Sequence, residues 1–299
     1  MRMILAIAAV IGLASAACAA DMKVINDKAA FPEGPIFLDG KLYYVEYGGN
    51  TIDVWDGKTN TVLWKSDGCG PSAVAPLGTG DFVVTCYDAG TIARVSRDGK
   101  PVATYDKDKN GGALQGPNDF APDGKGGVYF TASGPWEPGP IVGKVLHLRE
   151  DGTITEMAND LHYANGIVLG ADGKRLFVNE SEAGRVISFA VAEDGSLSDR
   201  RLFVRVGIVD EASGIDAYPD GIKLGPDGNF YIGAYTKGRT KSRIVVVDKD
   251  GKFVNAIEIP SASAPNMTFS SDGNALYVMS VDDMVNAPYW GKVYEVPLK

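Results

Sequence analysis

Residues 219–221 read Pro-Asp-Gly, and the same plan of a small residue or Pro followed by one polar residue and a short apolar run occurs six times. The other copies are Pro32-Glu33-Gly34, Pro71-Ser72-Ala73, Pro117-Asn118-Asp119, Ala164-Asn165-Gly166 and Pro265-Asn266-Met267. Successive polar positions lie 39 to 55 residues apart. A repeat of roughly 40–50 residues is typical of β-propellers, in which each repeat forms one blade. The sequence therefore predicts an all-β fold, a six-bladed β-propeller.

Short runs with alternating apolar and polar residues, separated by Asp-Gly turns, support this assignment. The first repeat predicts strands over 34–38, 41–46, 51–56 and 61–65. The sixth repeat lacks an outer strand, because the chain stops at Lys299. The run Met22–Ile25 can supply that strand, so we expect an N-terminal strand to join the last blade and close the ring.

The first twenty residues differ from the rest and predict a secretory signal peptide. Arg2 precedes an apolar run, Ile4–Leu13, that is too short to span a bilayer, and the small-residue sequence Ala17-Cys18-Ala19 follows it. Residues 1–20 are therefore predicted to be removed, and residues 21–299 to form one propeller domain that is secreted or periplasmic. Acylation of Cys18, as in a lipoprotein, is the alternative.

Two further cysteines, Cys69 and Cys86, lie in the second repeat. An oxidising compartment would allow a disulfide between them, and two buried thiols are the alternative.

The net charge of the chain limits the classes of partner that it can bind. A net charge of −9 and a pI near 4.8 argue against nucleic acids and anionic lipid surfaces, both of which need basic patches. We expect a small-molecule substrate and no membrane association after the signal is removed.

Equivalent positions of every blade meet at the central channel of a propeller, so the six polar residues should meet at one mouth. Carboxylates are rarely buried unless they are paired or bind metal, and no Lys or Arg occupies an equivalent repeat position. The chain has only two histidines, which excludes a three-histidine zinc site. We therefore predict one divalent cation, Ca²⁺ first, with Zn²⁺, Mn²⁺ or Mg²⁺ as alternatives. Ser72 and Asn266 are expected to hydrogen-bond the backbone instead, and the predicted metal ligands are Glu33, Asn118, Asn165 and Asp220.

Four motifs make the chain resemble the gluconolactonase family of six-bladed propellers, which includes senescence marker protein (regucalcin) and the drug-responsive bacterial lactonases. The resemblance covers residues 21–299 and implies a hydrolase that opens lactone rings, with a cation that polarises the ring carbonyl and activates water. It also implies the same four ligands and assigns Asp220 as the catalytic base, although Glu33 or free hydroxide remains an alternative. The motifs are Phe31-Pro32-Glu33-Gly34-Pro35, Gly116-Pro117-Asn118-Asp119, Ala164-Asn165-Gly166-Ile167 and Tyr218-Pro219-Asp220-Gly221-Ile222.

Substrate contacts are less well defined by the sequence. Sugar-specific members of the family carry Arg where this chain has Gly116, so the class of lactone stays open. Two long segments, 133–141 and 207–218, are expected to surround the channel mouth. Glu137 roughly matches an acidic substrate contact of some members. The other candidate substrate-binding residues are Trp136, His162, Tyr235 and Tyr289.

Two functions remain open from the sequence. The first is the metal-dependent lactonase, and the alternative is a non-enzymatic periplasmic propeller that binds a metal or a small molecule, since fold alone does not imply function.

Overall fold

The computed structural model describes residues 22–136 and 139–298. The predicted signal peptide and Glu137 lie outside the described residues. Six four-stranded antiparallel sheets form the blades of a β-propeller, and their first strands contact one another in sequence around a central axis. The predicted fold is confirmed.

Blades one to three each contain four consecutive strands. Blade one consists of β2 (Pro32–Leu38), β3 (Lys41–Glu46), β4 (Thr51–Trp55) and β5 (Asn60–Lys65). Blade two consists of β6 (Pro71–Pro76), β7 (Phe82–Cys86), β8 (Thr91–Val95) and β9 (Pro101–Tyr105). Blade three consists of β10 (Pro117–Pro122), β11 (Val128–Ala132), β12 (Gly143–Leu148) and β13 (Ile154–Leu161).

Blades four and five follow the same order. Blade four consists of β14 (Ala164–Leu169), β15 (Arg175–Glu180), β16 (Arg185–Val191) and β17 (Leu197–Arg205). Blade five consists of β18 (Tyr218–Leu224), β19 (Phe230–Tyr235), β20 (Ser242–Val247) and β21 (Phe253–Ile259). Between them lie α1 (Val206–Val209) and a 3₁₀ turn, Glu211–Ser213, while a second 3₁₀ turn, Ser181–Ala183, follows β15.

Blade six is built from both ends of the described chain. It consists of β22 (Ser263–Phe269), β23 (Ala275–Val281), β24 (Trp290–Pro297) and the N-terminal strand β1 (Lys23–Ala30), which pairs with β24. The predicted closure is confirmed. Strand β1 is longer than the predicted 22–25, because two register shifts let it continue and bury Ala29 and Ala30.

The repeated sequence pattern determines the blade geometry. Alternate residues of each strand face the neighbouring blades, so apolar side chains fill the layers between sheets. Asp39 and Gly40 both have positive φ, 52° and 75°, as the tight turn between β2 and β3 requires. Cys69 and Cys86 form a disulfide within blade two. None of the described helices has the length and apolar character needed to cross a bilayer.

Glu46 links the closing strand to blade one. Its Oε2 accepts a hydrogen bond from the Ala30 backbone N–H at 2.9 Å, and its Oε1 lies 3.4 Å from Asn26 Nδ2. Burial raises the pKa of Glu46 to about 7, and the negative charge of Asp53 adds to the effect. The folded state therefore favours the protonated carboxyl.

We predict that Glu46→Gln flattens the pH dependence of stability. A raised pKa in the folded state stabilises the fold below the unfolded pKa, and this contribution is lost as the pH rises to about 7. Urea unfolding should show that wild-type stability falls by about 1–3 kcal/mol more than that of the variant between about pH 4.5 and pH 8. Glu193→Gln, at an exposed residue of a hairpin turn, is the control and should leave that slope unchanged. Equal slopes for wild type and Glu46→Gln would contradict the assignment.

Candidate functional site

The four predicted ligands line one cavity of about 200 Å³ at the channel mouth, which we call the inner cavity. Ser72 also lines it. Glu33 and Asn165 are buried, at 7% and 4% exposure, whereas Asn118 and Asp220 are partly exposed to the cavity. Residues separated by up to 187 positions in the sequence are thus brought together.

A β-bulge at the start of each first strand explains how the polar side chains reach the cavity. In all six blades the register between the first and second strands shifts at or beside the polar motif, as between Glu33 and Ile36 in blade one. A bulge interrupts strict alternation and re-aims a side chain. The polar residue can therefore face the axis while the residues after it return to the packed layers.

Small residues next to the ligands let the inner strands approach closely. A Cβ at Gly166 would lie 2.3 Å from the carbonyl oxygen of Asp220, and one at Gly221 would lie 2.4 Å from Cγ of Asn266. Real Cβ atoms do not approach other atoms so closely, so any larger residue would push neighbouring blades apart. These glycines fix the width of the site.

Side chains of the preceding blade hold the backbone of three of the predicted ligands. In each case a residue on the second strand of one blade donates a hydrogen bond to the ligand's carbonyl oxygen in the next. A buried carbonyl oxygen needs a hydrogen-bond partner. These bonds therefore fix the position of the backbone at each predicted ligand. The three bonds are Thr85 Oγ1 to Asn118 O at 2.9 Å, Thr131 Oγ1 to Asn165 O at 2.7 Å and Asn179 Nδ2 to Asp220 O at 2.6 Å.

Glu33 and Asp220 have no cationic protein partner within the described part of the chain. Burial raises the pKa of Glu33 well above its usual value, and repulsion from Asp220 and Asp119 adds to the shift. Burial also raises the pKa of Asp220, while the Asn165 amide opposes the shift. Ionising both carboxyls at once is therefore unfavourable, because no cationic side chain among the described residues neutralises them.

A third carboxyl, Asp119, lies beside this pair and is neutralised by the protein. It is 2% exposed, and its Oδ2 is 3.2 Å from Lys223 Nζ and 3.3 Å from Asn266 Nδ2. The Phe120 backbone N–H donates to its other oxygen at 2.8 Å. Asp119 and Lys223 also line a second cavity of about 220 Å³ deeper in the channel. Neither residue is assigned a role from the sequence.

The two residues expected to bond the backbone do so. Ser72 Oγ donates toward the carbonyl oxygens of Pro117 and Asn118, at 3.1 and 2.9 Å. The Met267 backbone N–H donates to Asn266 Oδ1 at 2.9 Å, although Asn266 also reaches Asp119.

The candidate substrate contacts fall into three groups. Trp136 and Tyr289 line the inner cavity. Tyr235 lines a wider outer cavity of about 970 Å³, where it stacks on Tyr218 with ring centroids 5.2 Å apart. His162 lines neither cavity, because its backbone N–H bonds Glu180 and the next residue, Tyr163, occupies the cavity wall.

Four aromatic residues in the wall of the inner cavity are not predicted from the sequence. Two of these residues, Phe31 and Tyr163, directly precede first strands, with φ of 52° and 55°. Gly70 and Gly116 occupy that position in blades two and three with φ of 55° and 60°. A left-handed conformation costs a non-glycine residue of order 1 kcal/mol, which points to a function for the rings. Comparing equivalent repeat positions would have found them. Among the described residues, the aromatic side chains that line the inner cavity are Phe31, Tyr47, Tyr87, Trp136, Tyr163 and Tyr289.

Comparison with known proteins identifies the family. Residues 31–282 match the family model for the SMP-30/gluconolactonase/LRE-like region. The chain belongs to this family. The family resemblance inferred from the four motifs is confirmed.

Curated relatives in this family are named lactonases. Lactonase drp35 of Staphylococcus aureus is 30% identical over 160 residues, which are 52% of this chain and 45% of that protein. Lactonase drp35 of Staphylococcus saprophyticus is 28% identical over 261 residues, 82% of this chain and 74% of that protein. The chain spans about half the length of the S. aureus relatives it matches.

Solved structures share the fold at lower identity. A gluconolactonase from Xanthomonas campestris has a TM-score of 0.75 and 23% identity, covering 93% of this chain and 89% of its own. Regucalcin from Agrobacterium tumefaciens, described as a calcium-binding protein, has a TM-score of 0.73 and 17% identity, covering 91% and 92%. At these identities the likeness establishes the propeller alone.

We predict that Lys223→Met destabilises the protein by about 3–5 kcal/mol, because it leaves the Asp119 carboxylate buried without its partner. Adding Asp119→Asn should restore much of that loss, as the remaining group is neutral. Lys144→Met, which breaks an ion pair with Glu156 that is 32% and 27% exposed, should cost less than about 1 kcal/mol. Urea unfolding checks all three. A Lys223→Met cost no larger than that of Lys144→Met would refute the role of this pair.

Proposed function

We propose that this protein is a metal-dependent hydrolase that opens lactone rings. The observation that carries the proposal is the pairing of Glu33 and Asp220 at one cavity without a cationic partner among the described residues. Membership of a family whose curated relatives are named lactonases supports the reaction class.

The donor set fits a hard divalent cation. Among the described residues, no three His, Cys, Asp or Glu side chains form a metal-binding group, so amide oxygens must complete the set. Glu33, Asn118, Asn165 and Asp220 offer only oxygen ligands on the protein side, which favours Ca²⁺ over ions that prefer imidazole or thiolate. When bound, the cation supplies positive charge that polarises the ring carbonyl and stabilises the developing oxyanion.

Asp220 is the better candidate for the base. One oxygen of Glu33 already accepts the Gly34 backbone N–H at 2.7 Å, and Glu33 is the more buried of the two carboxyls. Asp220 is partly exposed to the cavity, where a carboxylate oxygen can accept the proton of an attacking water. The Asn179 bond to its carbonyl oxygen keeps Asp220 in place.

The experiment is a lactone panel assayed after chelation and after return of Ca²⁺, Zn²⁺, Mn²⁺ or Mg²⁺ in turn. We expect chelation to abolish turnover and Ca²⁺ to restore it. Asp220→Asn should lower kcat by about 10²–10⁴-fold, the usual contribution of a general base. Asp272→Asn, at an exposed hairpin turn, is the matched control and should leave kcat unchanged.

Turnover that survives chelation, or that survives Asp220→Asn, would contradict the proposal. Tight cation binding without turnover of any lactone would favour the alternative, a non-enzymatic propeller that binds a metal or a small molecule.

A further inference from the structure

The walls of the inner cavity are aromatic above a small polar floor. Phe31 and Tyr47 pack with ring centroids 5.6 Å apart, and Phe31 meets Tyr289 edge-on at 5.9 Å. On another side, Trp136 meets Tyr163 edge-on at 5.0 Å. Among the described residues that line this cavity there is no Lys, Arg or His. The wall is thus suited to contact the apolar part of a ligand.

Three of the four tyrosine hydroxyls in this wall are already engaged by the protein. Tyr47 donates to Asp88 Oδ1 at 2.9 Å, and Tyr87 donates to the carbonyl oxygen of Gly134 at 2.8 Å. Tyr163 donates to the hydroxyl of Tyr87 at 3.2 Å. Each hydroxyl has one proton to donate, so these residues present ring surface rather than free donors. A substrate with several hydroxyl groups would bury some of them without partners, which weakens binding.

The backbone before β10 leaves no room for an arginine at Gly116, where sugar-specific members of the family carry one. A Cβ at Gly116 would lie 2.6 Å from the carbonyl oxygen of Gly134 and 2.8 Å from Cε2 of Tyr87. The Tyr87 ring therefore occupies the space that a longer side chain would need. Any residue other than glycine would also be strained at its φ of 60°.

The inner cavity continues into the outer cavity along an apolar passage. Trp136, Tyr163 and Met284 line both cavities, so they form the connection between them. Trp136 is 53% exposed and Val285, which follows Met284, is 82% exposed. A ligand held at the polar floor can therefore extend an apolar group past these residues.

We propose that the preferred substrates are lactones with an apolar substituent on the ring, an alkyl chain or an aryl group, and not polyhydroxylated sugar lactones. This inference rests on the proposed lactone-opening function. The lactone ring lies at the polar floor beside Asp220, and its substituent lies against the aromatic wall and follows the passage past Trp136 and Met284.

The test compares δ-lactones of one ring size, so that ring strain is constant. The series runs from unsubstituted δ-valerolactone to 5-alkyl δ-lactones of increasing chain length, with D-glucono-δ-lactone as the polyhydroxylated member. We expect kcat/KM to rise by about fourfold for each of the first few methylenes. D-Glucono-δ-lactone should be turned over about 100-fold less efficiently than the pentyl-substituted lactone. Affinity for the same series, measured by isothermal titration calorimetry on Asp220→Asn at saturating Ca²⁺, gives a readout without turnover.

A matched pair of tryptophan variants locates the subsite. Trp136→Ala should reduce the gain per methylene, because the ring that covers the chain is gone. Trp290→Ala removes a tryptophan that is similarly exposed, at 50%, but lines neither cavity, and should leave the whole series unchanged.

The outcomes separate this inference from the proposed function. If kcat/KM stays constant along the alkyl series, or is as high for D-glucono-δ-lactone as for the pentyl-substituted lactone, the inference is overturned. The proposed hydrolase function is unaffected by that result. Affinity that rises with chain length while no lactone is opened supports the apolar subsite and overturns the hydrolase. If affinity changes neither with the length of the alkyl chain nor in Trp136→Ala, the apolar subsite is overturned, whatever the turnover.

Discussion

The repulsion between Glu33 and Asp220 determines what this site can bind. Two carboxyls that share a cavity and lack a cationic protein partner destabilise one another unless a proton or a metal ion intervenes. The chain neutralises the adjacent Asp119 with Lys223 but leaves this pair without such a partner in the part of the molecule that is described. In the function proposed above, a divalent cation would relieve this repulsion and would also supply the positive charge that opening a lactone requires.

The fold holds this unfavourable arrangement in place through its backbone. Ring closure by β1 and β24 brings the six first strands to one axis, and glycines next to the ligands allow them to approach. Bulges turn the polar side chains inward, and hydrogen bonds such as that from Thr131 to the Asn165 carbonyl fix the ligand backbone. Contacts within the protein therefore hold the backbone of the site, which lowers the entropic cost of binding.

The sequence repeat made the fold and the polar residues of the inner cavity predictable. Site residues that do not follow the repeat could not be predicted in this way. Glu33 and Asp220 could be placed together from sequence because equivalent blade positions must converge. Lys223 was not predicted because it has no counterpart in the other repeats. It lies after Asp220 in β18 and pairs with Asp119, which is 104 positions away in the sequence. Tyr163 was missed in favour of His162 because the left-handed residue before β14 decides which side chain faces the cavity, and sequence alternation does not reveal that conformation. Glu137 lies outside the described residues.

A calorimetric titration of Ca²⁺ into protein stripped of metal tests directly whether Glu33 and Asp220 hold a cation. We expect one ion per chain, with affinity lowered by about 100-fold or more in Glu33→Gln and in Asp220→Asn, since each removes a charged ligand. Asp272→Asn should bind as wild type does. Absence of a binding site for any of the four divalent ions, or affinity unchanged in both ligand variants, would contradict this role of Glu33 and Asp220.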